Sequence, residues 1–365
     1  MAVAARAASL AREGWQGLRY RLEALTGAVL WALVVGFLLG TAVSSPENFA
    51  IGLVVGSVYA LAALGLTLLY GVLRFAHFAH GDLMMLGGYL AYFALTGIVV
   101  GARRDTQLPA ALDSLPGATS RLGDLTFGYG LVLAALVSCA VLALLCIGLD
   151  RAIYRPLRQR RAGIVIFAVA SLGVAIAARS LMLLVWGPNP RLYVEGVFPA
   201  HRFPFGVQLK SDQVFTLAVA VALAGLVYLL LFRTRLGKAM RAMADNPDLA
   251  RVSGIATEGV VIRTWALGGA LMAVAGVLLA LQAQLNPQLG FVVLLPVFAG
   301  AILGGIGNPL GALLGALVVA VAQEASVGWE LFGRQLDPTY KPGVAFVILI
   351  VMLLLRPRGL LGAKT

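Results

Sequence analysis

Three side chains stand at a spacing that ligand chemistry uses: His77, His80 and Asp82 form H-x-x-H-x-D. Imidazoles at i and i+3 beside a carboxylate share one helix face, where they can hold zinc or pass a proton. The competing reading is structural, with His80 or Asp82 capping broken backbone at the start of an apolar span. Arg179 and Glu324 lie within apolar runs. Such a charge costs roughly 2.5–3.5 kcal/mol at the bilayer centre on insertion scales, so it pairs or faces a wet cavity. Three readings stand open for the two: a mutual Arg179–Glu324 pair, a place in a translocation path, or snorkelling from a helix end. Gln282, Gln284 and Asn286 lie near the outer end of another apolar run, 264–284, as the lining of an exit or as interface residues. Cys139 and Cys146 sit seven apart in an apolar run and read as buried small hydrophobes, not as a disulfide framework.

Other chemistries lack their residues. A phosphate loop needs G-x-x-x-x-G-K-[ST], whereas Gly237-Lys238 is followed by Ala239 and has no upstream glycine. No H-E-x-x-H, C-x-x-C or G-x-S-x-G occurs. The sequence therefore offers no catalytic residue, no metal site above noise and no cofactor site. If ATP drives this protein, ATP-Mg binds to another subunit.

The elements that position these residues follow from composition. Of 365 residues, 60% are apolar and 12% charged, with a mean hydropathy of +0.92. Soluble domains carry about 25% charge. A disordered chain, a coiled coil and a small secreted scaffold are excluded, and a soluble enzyme could not cover its surface. The class is an all-α polytopic membrane protein, and its 43 glycines suit close helix packing in lipid. The net charge of +12 would suggest nucleic acid in a soluble protein; here it belongs in loops on one side of a bilayer, with no nucleic-acid partner.

Crossing ~30 Å of hydrocarbon takes ~17–25 helical residues. Candidate spans are 26–43, 49–73, 83–100, 128–149, 163–186, 214–232 and 264–284, then 290–326 split into two at Gly304 to Pro309, and finally 343–355. That makes about ten transmembrane helices, eight to ten allowing for the third and eighth, which read as broken or re-entrant. Residues 1–25 form a basic amphipathic extension ahead of a single transmembrane unit, 26–365; a signal peptide fits less well because Glu13 and Glu23 interrupt it. With both termini in the cytoplasm, the inside loops hold 19 Lys and Arg against 8 outside, which supports that count and orientation.

Loop 233–263 is the longest inside loop between spans and carries helix signals. Arg235 to Ala244 are good helix formers. Asn246 caps a second helix with Pro247 at its first position and Asp248 in its first turn, and Gly254 ends it. An ordinary solvated basic loop is the bland alternative.

Here a family resemblance emerges. Asp248-Leu249-Ala250-x-x-x-Gly254-Ile255 resembles the E-A-A-x-x-x-G loop of ABC-importer permeases. Arg235 to Ala242 with Asn246-Pro247 is similar to the permeases of branched-chain (hydrophobic) amino-acid importers, the Liv type. So are Phe78-Ala79-His80-Gly81-Asp82, Tyr154-Arg155-Pro156, the turn Gly304-Gly305-Ile306-Gly307, and Tyr340-Lys341-Pro342 with Arg356 to Leu360. The resemblance spans about 48–362. His77 departs from the family's Asn, and Asp248 and Leu249 replace its Glu and Ala.

The resemblance implies an ABC-importer permease fold in a bacterial inner (cytoplasmic) membrane, importing branched-chain or related hydrophobic amino acids by alternating access. Its partners would be a second homologous permease, two P-loop ATPase subunits and a periplasmic or lipid-anchored binding protein. Residues 246–255 would form the coupling helix docked on an ATPase. The nearest rival within the branch is a urea or short-chain amide permease. From another class, an ion-coupled secondary transporter would use Arg179 and Glu324, although no internal repeat supports it.

Overall fold

The computed structural model describes residues 27–100, 105–107, 111–194, 196, 199–331, 334–356 and 359–362. The expected basic extension, 1–25, lies outside the described residues. Thirteen helices follow in chain order. They are α1 (Gly27–Ser44), α2 (Pro46–Leu73), α3 (His80–Thr96), α4 (Tyr129–Leu149), α5 (Arg155–Gln159), α6 (Ile164–Trp186) and α7 (Ser211–Arg233), then α8 (Arg235–Asp245), α9 (Pro247–Val252), α10 (Thr257–Gln282), α11 (Leu289–Gly304), α12 (Pro309–Ser326) and α13 (Lys341–Leu355). Eight helical stretches are long and apolar enough to cross a membrane; α3 and α11 are shorter. The chain is a multi-pass membrane protein.

α2 and α10 form the centre, buried along most of their length. Small residues let the neighbours approach closely. A Cβ on Gly52 of α2 would come within 2.7 Å of the Val321 backbone on α12. Without a hydrophobic drive between helices in lipid, such contacts supply dispersion at short range. α1, α6, α7 and α13 present mostly open apolar faces.

The third span ends earlier than expected from 83–100. α3 stops at Thr96 because Gly97 takes a left-handed φ of 66°, and Ile98–Val100 form a strand paired with Asp105–Gln107. Loop 233–263 also shortens, since α10 begins at Thr257, beyond the apolar run. α4 does not end at Leu149 but runs through a π-turn, Asp150–Tyr154, into α5. Pro156 explains that turn: it lacks an N–H and crowds the preceding carbonyls, and a widened turn accommodates it. Here the Arg155 N–H bonds the Asp150 carbonyl, five residues back.

α3 and α11 start at mid-depth. α2 spans roughly 42 Å at 1.5 Å per residue. His80, the first residue of α3, sits 2.8 Å through Nε2 from the carbonyl of Ala62. Ala62 lies 11 residues before the end of α2, about 16 Å into the slab. The six residues 74–79 can climb back that far, since extended chain reaches about 3.3 Å per residue. From the opposite end, residues 283–288 lead to α11. The two helix starts meet: a Cβ on Gly290 would come within 3.0 Å of Asp82 Cα and overlap the Gly81 backbone.

Among the described residues, three short strand pairs, Ile98–Val100 with Asp105–Gln107, His201–Arg202 with Gln208–Leu209 and Glu330–Leu331 with Arg334–Gln335, decorate one end. There hydrogen bonds from the Thr339 side chain and then from its N–H, the latter at 2.8 Å, hold the Asp337 carboxyl below the usual range. α8 and α9 occupy the other end.

Candidate functional site

Local chemistry builds the α8–α9 pair. Thr234 caps α8, its hydroxyl accepting the Gly237 N–H at 3.1 Å. Gly237, Met240 and Met243 bury one face at helical spacing, and the basic residues take the other. Asn246 Oδ1 accepts the N–H groups of Asp248 (3.1 Å) and Leu249 (3.0 Å), with Pro247 at the first position. At the far end Gly254 adopts φ 84°. The Ile255 N–H reaches the Ala250 carbonyl and the Gly254 N–H the Arg251 carbonyl, a Schellman closure. Ala250 is buried, whereas Leu249 is 61% and Val252 81% exposed. A braced helix thus presents two apolar side chains outward, flanked by the exposed charges of Asp248 and Arg251.

Several residues that the sequence reading passed over do the bracing. Arg74 ends α2 in the left-handed conformation (φ 56°), and its guanidinium donates to the last carbonyls of α8, Ala244 and Asp245. A cation there also suits the helix dipole. Arg158 forms a bidentate pair with Asp150, at 2.6 and 3.0 Å. Trp265 of α10 donates its indole N–H to the same carboxylate at 2.7 Å. Arg155 approaches Glu258 at 3.5 Å. Tyr154 stacks on Trp265 and lies 3.2 Å through its hydroxyl from His77 Nε2. His77 in turn meets His80 edge to face. A column of polar and aromatic groups therefore runs from the α8–α9 end to the mid-depth start of α3. Tyr154 and Arg155 belonged to a recognised motif that leads to Arg158, and the two histidines to another; Arg74, Asp150, Trp265 and Glu258 gave no local signal beyond residue type.

His77, His80 and Asp82 do not converge on a point. Their Nε2, Nε2 and carboxylate are directed to Tyr154, the Ala62 carbonyl and Arg179 respectively. The H-x-x-H-x-D pattern thus forms no shared ligand point, and His80 bonds a carbonyl inside the continuous helix α2 rather than capping broken backbone. Phe78 and Ala79 precede the helix, and the Phe78 N–H donates to Ser171 Oγ of α6 at 3.0 Å.

The two intramembrane charges do not meet each other. Arg179 pairs with Asp82 through Nε and Nη2, both at 2.9 Å, and its Cζ lies 4.8 Å from the Phe291 ring centre. Glu324 pairs with Lys341 of α13 at 2.6 Å. The open Arg179–Glu324 pair is thereby ruled out; each charge found a nearer partner on another helix. Gln282 donates to Thr216 Oγ1 at 2.8 Å and ties α10 to α7. Gln284 is exposed, and Asn286 accepts the Gln288 N–H in the turn leading to α11. Gln282 thus serves helix packing.

Gly304 ends α11 against the Gly311 backbone of α12, and Gly305 and Gly307 take φ 109° and 89°. The C-terminal tail clamps this turn: Leu360 and Leu361 donate backbone N–H groups to Leu303 and Gly304, and Asn308 Nδ2 bonds the Leu361 carbonyl. Two separately recognised motifs prove to be one contact.

Beside these features lies an apolar groove of about 630 Å³, walled by Phe78 from the re-entrant segment, Phe291 and Phe298 from α11, and Leu349 and Leu353 from α13. Phe78 and Phe298 stack at 5.6 Å. A second, more polar groove of about 530 Å³ adjoins it toward α8, shares Thr67, Tyr70 and Ile306, and adds Arg74, Arg241 and Asp245. The arrangement suits passage of a largely apolar solute with weak polar contacts. Among the described residues, no group of three metal-ligating side chains is gathered.

Comparison with known proteins agrees with this geometry. Residues 48–353 match the model of the family described as branched-chain amino acid transport system / permease component. The high-affinity branched-chain amino acid transport system permease protein BraD of Pseudomonas aeruginosa is 33% identical, over 85% of this chain and 94% of its own length. LivH of Escherichia coli K12 is 30% identical over 85% and 93%. A probable branched-chain amino acid transport permease of Methanocaldococcus jannaschii is 28% identical over 85% and 90%.

Proposed function

Since the chain belongs to the branched-chain amino acid transport permease family, we propose that it is the membrane subunit through which an ATP-driven importer passes branched-chain or related hydrophobic amino acids. The observation that carries this reading is α9. A capped helix, continuous through Asn246 with α8, which Arg74 ties to the end of α2, exposes Leu249 and Val252. That is the form of a part that takes a push from another protein and passes it inward.

In this reading Asn246 to Ile255 contact one ATPase subunit of a pair, which holds the ATP-Mg. A second, homologous permease covers the open groove, and a periplasmic or lipid-anchored receptor meets the hairpin end. Both termini and α9 face the cytoplasm of a bacterial inner membrane, as the excess of Lys and Arg at that end supports. Residues 26–365 act as one permease unit. Closure of the ATPase pair shifts α8–α9, the column moves the starts of α3 and α11, and the groove changes the side to which it opens. An apolar wall binds weakly, so release stays fast. A hydrophobic groove fits a branched side chain better than it fits urea or a short amide. The Arg179–Glu324 pair that an ion-driven carrier was expected to use is not formed, since each charge pairs elsewhere.

The test is co-purification from native membranes by an affinity tag, for wild type and for Leu249→Asp. Wild type should bring down P-loop ATPases and the variant should lose them. Leucine transport by the purified chain alone, with no ATPase in either preparation, would overturn the reading.

A further inference from the structure

Arg179 lies at about the depth of the α3 start, because it grips Asp82 two residues into that helix. Asp82 is fully buried, whereas the Arg179 side chain keeps 26% of its surface open. Two edges of the guanidinium are satisfied: Nε and Nη2 hold Asp82, and one face rests on Phe291. Nη1 makes no hydrogen bond among the described residues. Phe291, 55% exposed, is a wall of the apolar groove. A guanidinium with an open donor at mid-depth does not face hydrocarbon; such groups face protein or water. That side of Arg179 is therefore expected against a partner protein or a water-filled cavity.

We propose that Arg179 Nη1 is a transient docking point for the carboxylate of the passing amino acid, whose side chain slides along Phe291, Phe78 and Phe298. This rests on the reading above and deepens it. Asp82 fixes the fork and offsets its charge, so the carboxylate meets an oriented donor rather than a bare cation. The contact then selects for a carboxylate without trapping it, as a conducting path requires.

The experiment uses membrane vesicles stripped of receptor, carrying the full chain with Cys139→Ala, Cys146→Ala and Phe291→Cys. Labelling is followed with membrane-impermeant methanethiosulfonates bearing either a sulfonate or a trimethylammonium group. Position 291 should react with both, and leucine should slow the reaction more than leucinamide, which lacks the carboxylate. Adding Asp82→Asn and Arg179→Met, which removes the pair without changing net charge, should lower the sulfonate-to-trimethylammonium rate ratio about twofold to threefold, because the cation nearer the reagent is lost while its counter-ion is the buried one. It should also abolish the preference for leucine. Reaction only with a lipophilic maleimide, or with no reagent, would overturn the proposal by showing a dry face. Equal protection by leucinamide would overturn it by showing that the carboxylate is not read. A failed double variant leaves the leucine–leucinamide comparison on the Phe291→Cys chain decisive. None of these outcomes depends on co-purifying ATPases, so failure here and failure of the importer reading are separable.

Discussion

The α8–α9 end and the groove wall solve opposite problems with the same kinds of helix. At the α8–α9 end, Asp150 is held by Arg158 and Trp265, Arg74 clamps α8, and both short helices are capped at their starts. In the groove wall, large apolar rings carry most of the surface, and the Arg179–Asp82 pair adjoins it at Phe291. Dense, directional bonding makes the first region move as a body. Sparse polarity makes the second slippery. A transport subunit needs both: a stiff lever where force enters and a weakly binding surface where the solute passes. The mid-depth junction of Gly81 and Gly290 is where lever and wall meet.

Breaking that junction should give the largest effect. Gly290→Val places a branched side chain against the Gly81 backbone, where no side chain can yield. The expected outcome is loss of the folded, monodisperse protein in detergent, a cost of roughly 3 kcal/mol or more from overpacking. Asp150→Ala comes next. It strands the Arg158 guanidinium and the Trp265 N–H, and removing one partner of a buried pair costs about 3–5 kcal/mol. A thermal melt of the solubilised protein should fall by many degrees, while Asp150→Asn, which keeps one acceptor, should recover part of the loss.

Leu249→Asp with Val252→Asp sharpens the comparison, since both side chains are exposed. The melt should stay within about 0.5 kcal/mol of wild type, as for surface changes generally, while binding of ATPase is lost. Asn246→Ala should give the smallest effect. Loss of an N-cap costs about 1 kcal/mol, read as faster amide exchange in 247–252 with little change elsewhere.

Much of this was legible in the sequence because it is local. Asn246, Pro247 and Gly254 carry their cap and termination signals in their own residue types, and the structure forms those elements. The third and eighth spans were recognisable as irregular from their length and glycine content, and they are α3 and α11. Pairing was not legible. Arg179 meets Asp82 across 97 residues, and Glu324 chooses Lys341 over Arg179. Nothing in spacing encodes which helices become neighbours. The π-turn was hidden as well, since Pro156 reads as a helix end until Asp150 and Trp265 are seen to hold the chain together. Arg74 looked like one more loop cation, and only the fold brings it to the end of α8.

The most direct test of the lever is receptor-dependent leucine uptake and ATP hydrolysis, measured together in liposomes containing the chain with its co-purifying partners, for wild type and for Trp265→Phe. The substitution keeps an aromatic ring beside Tyr154 but removes the indole N–H that ties α10 to Asp150. The account predicts that ATP hydrolysis persists while leucine moved per ATP falls severalfold, because force enters but is not passed to the groove. Unchanged uptake per ATP would contradict it and show that the column is scaffold alone.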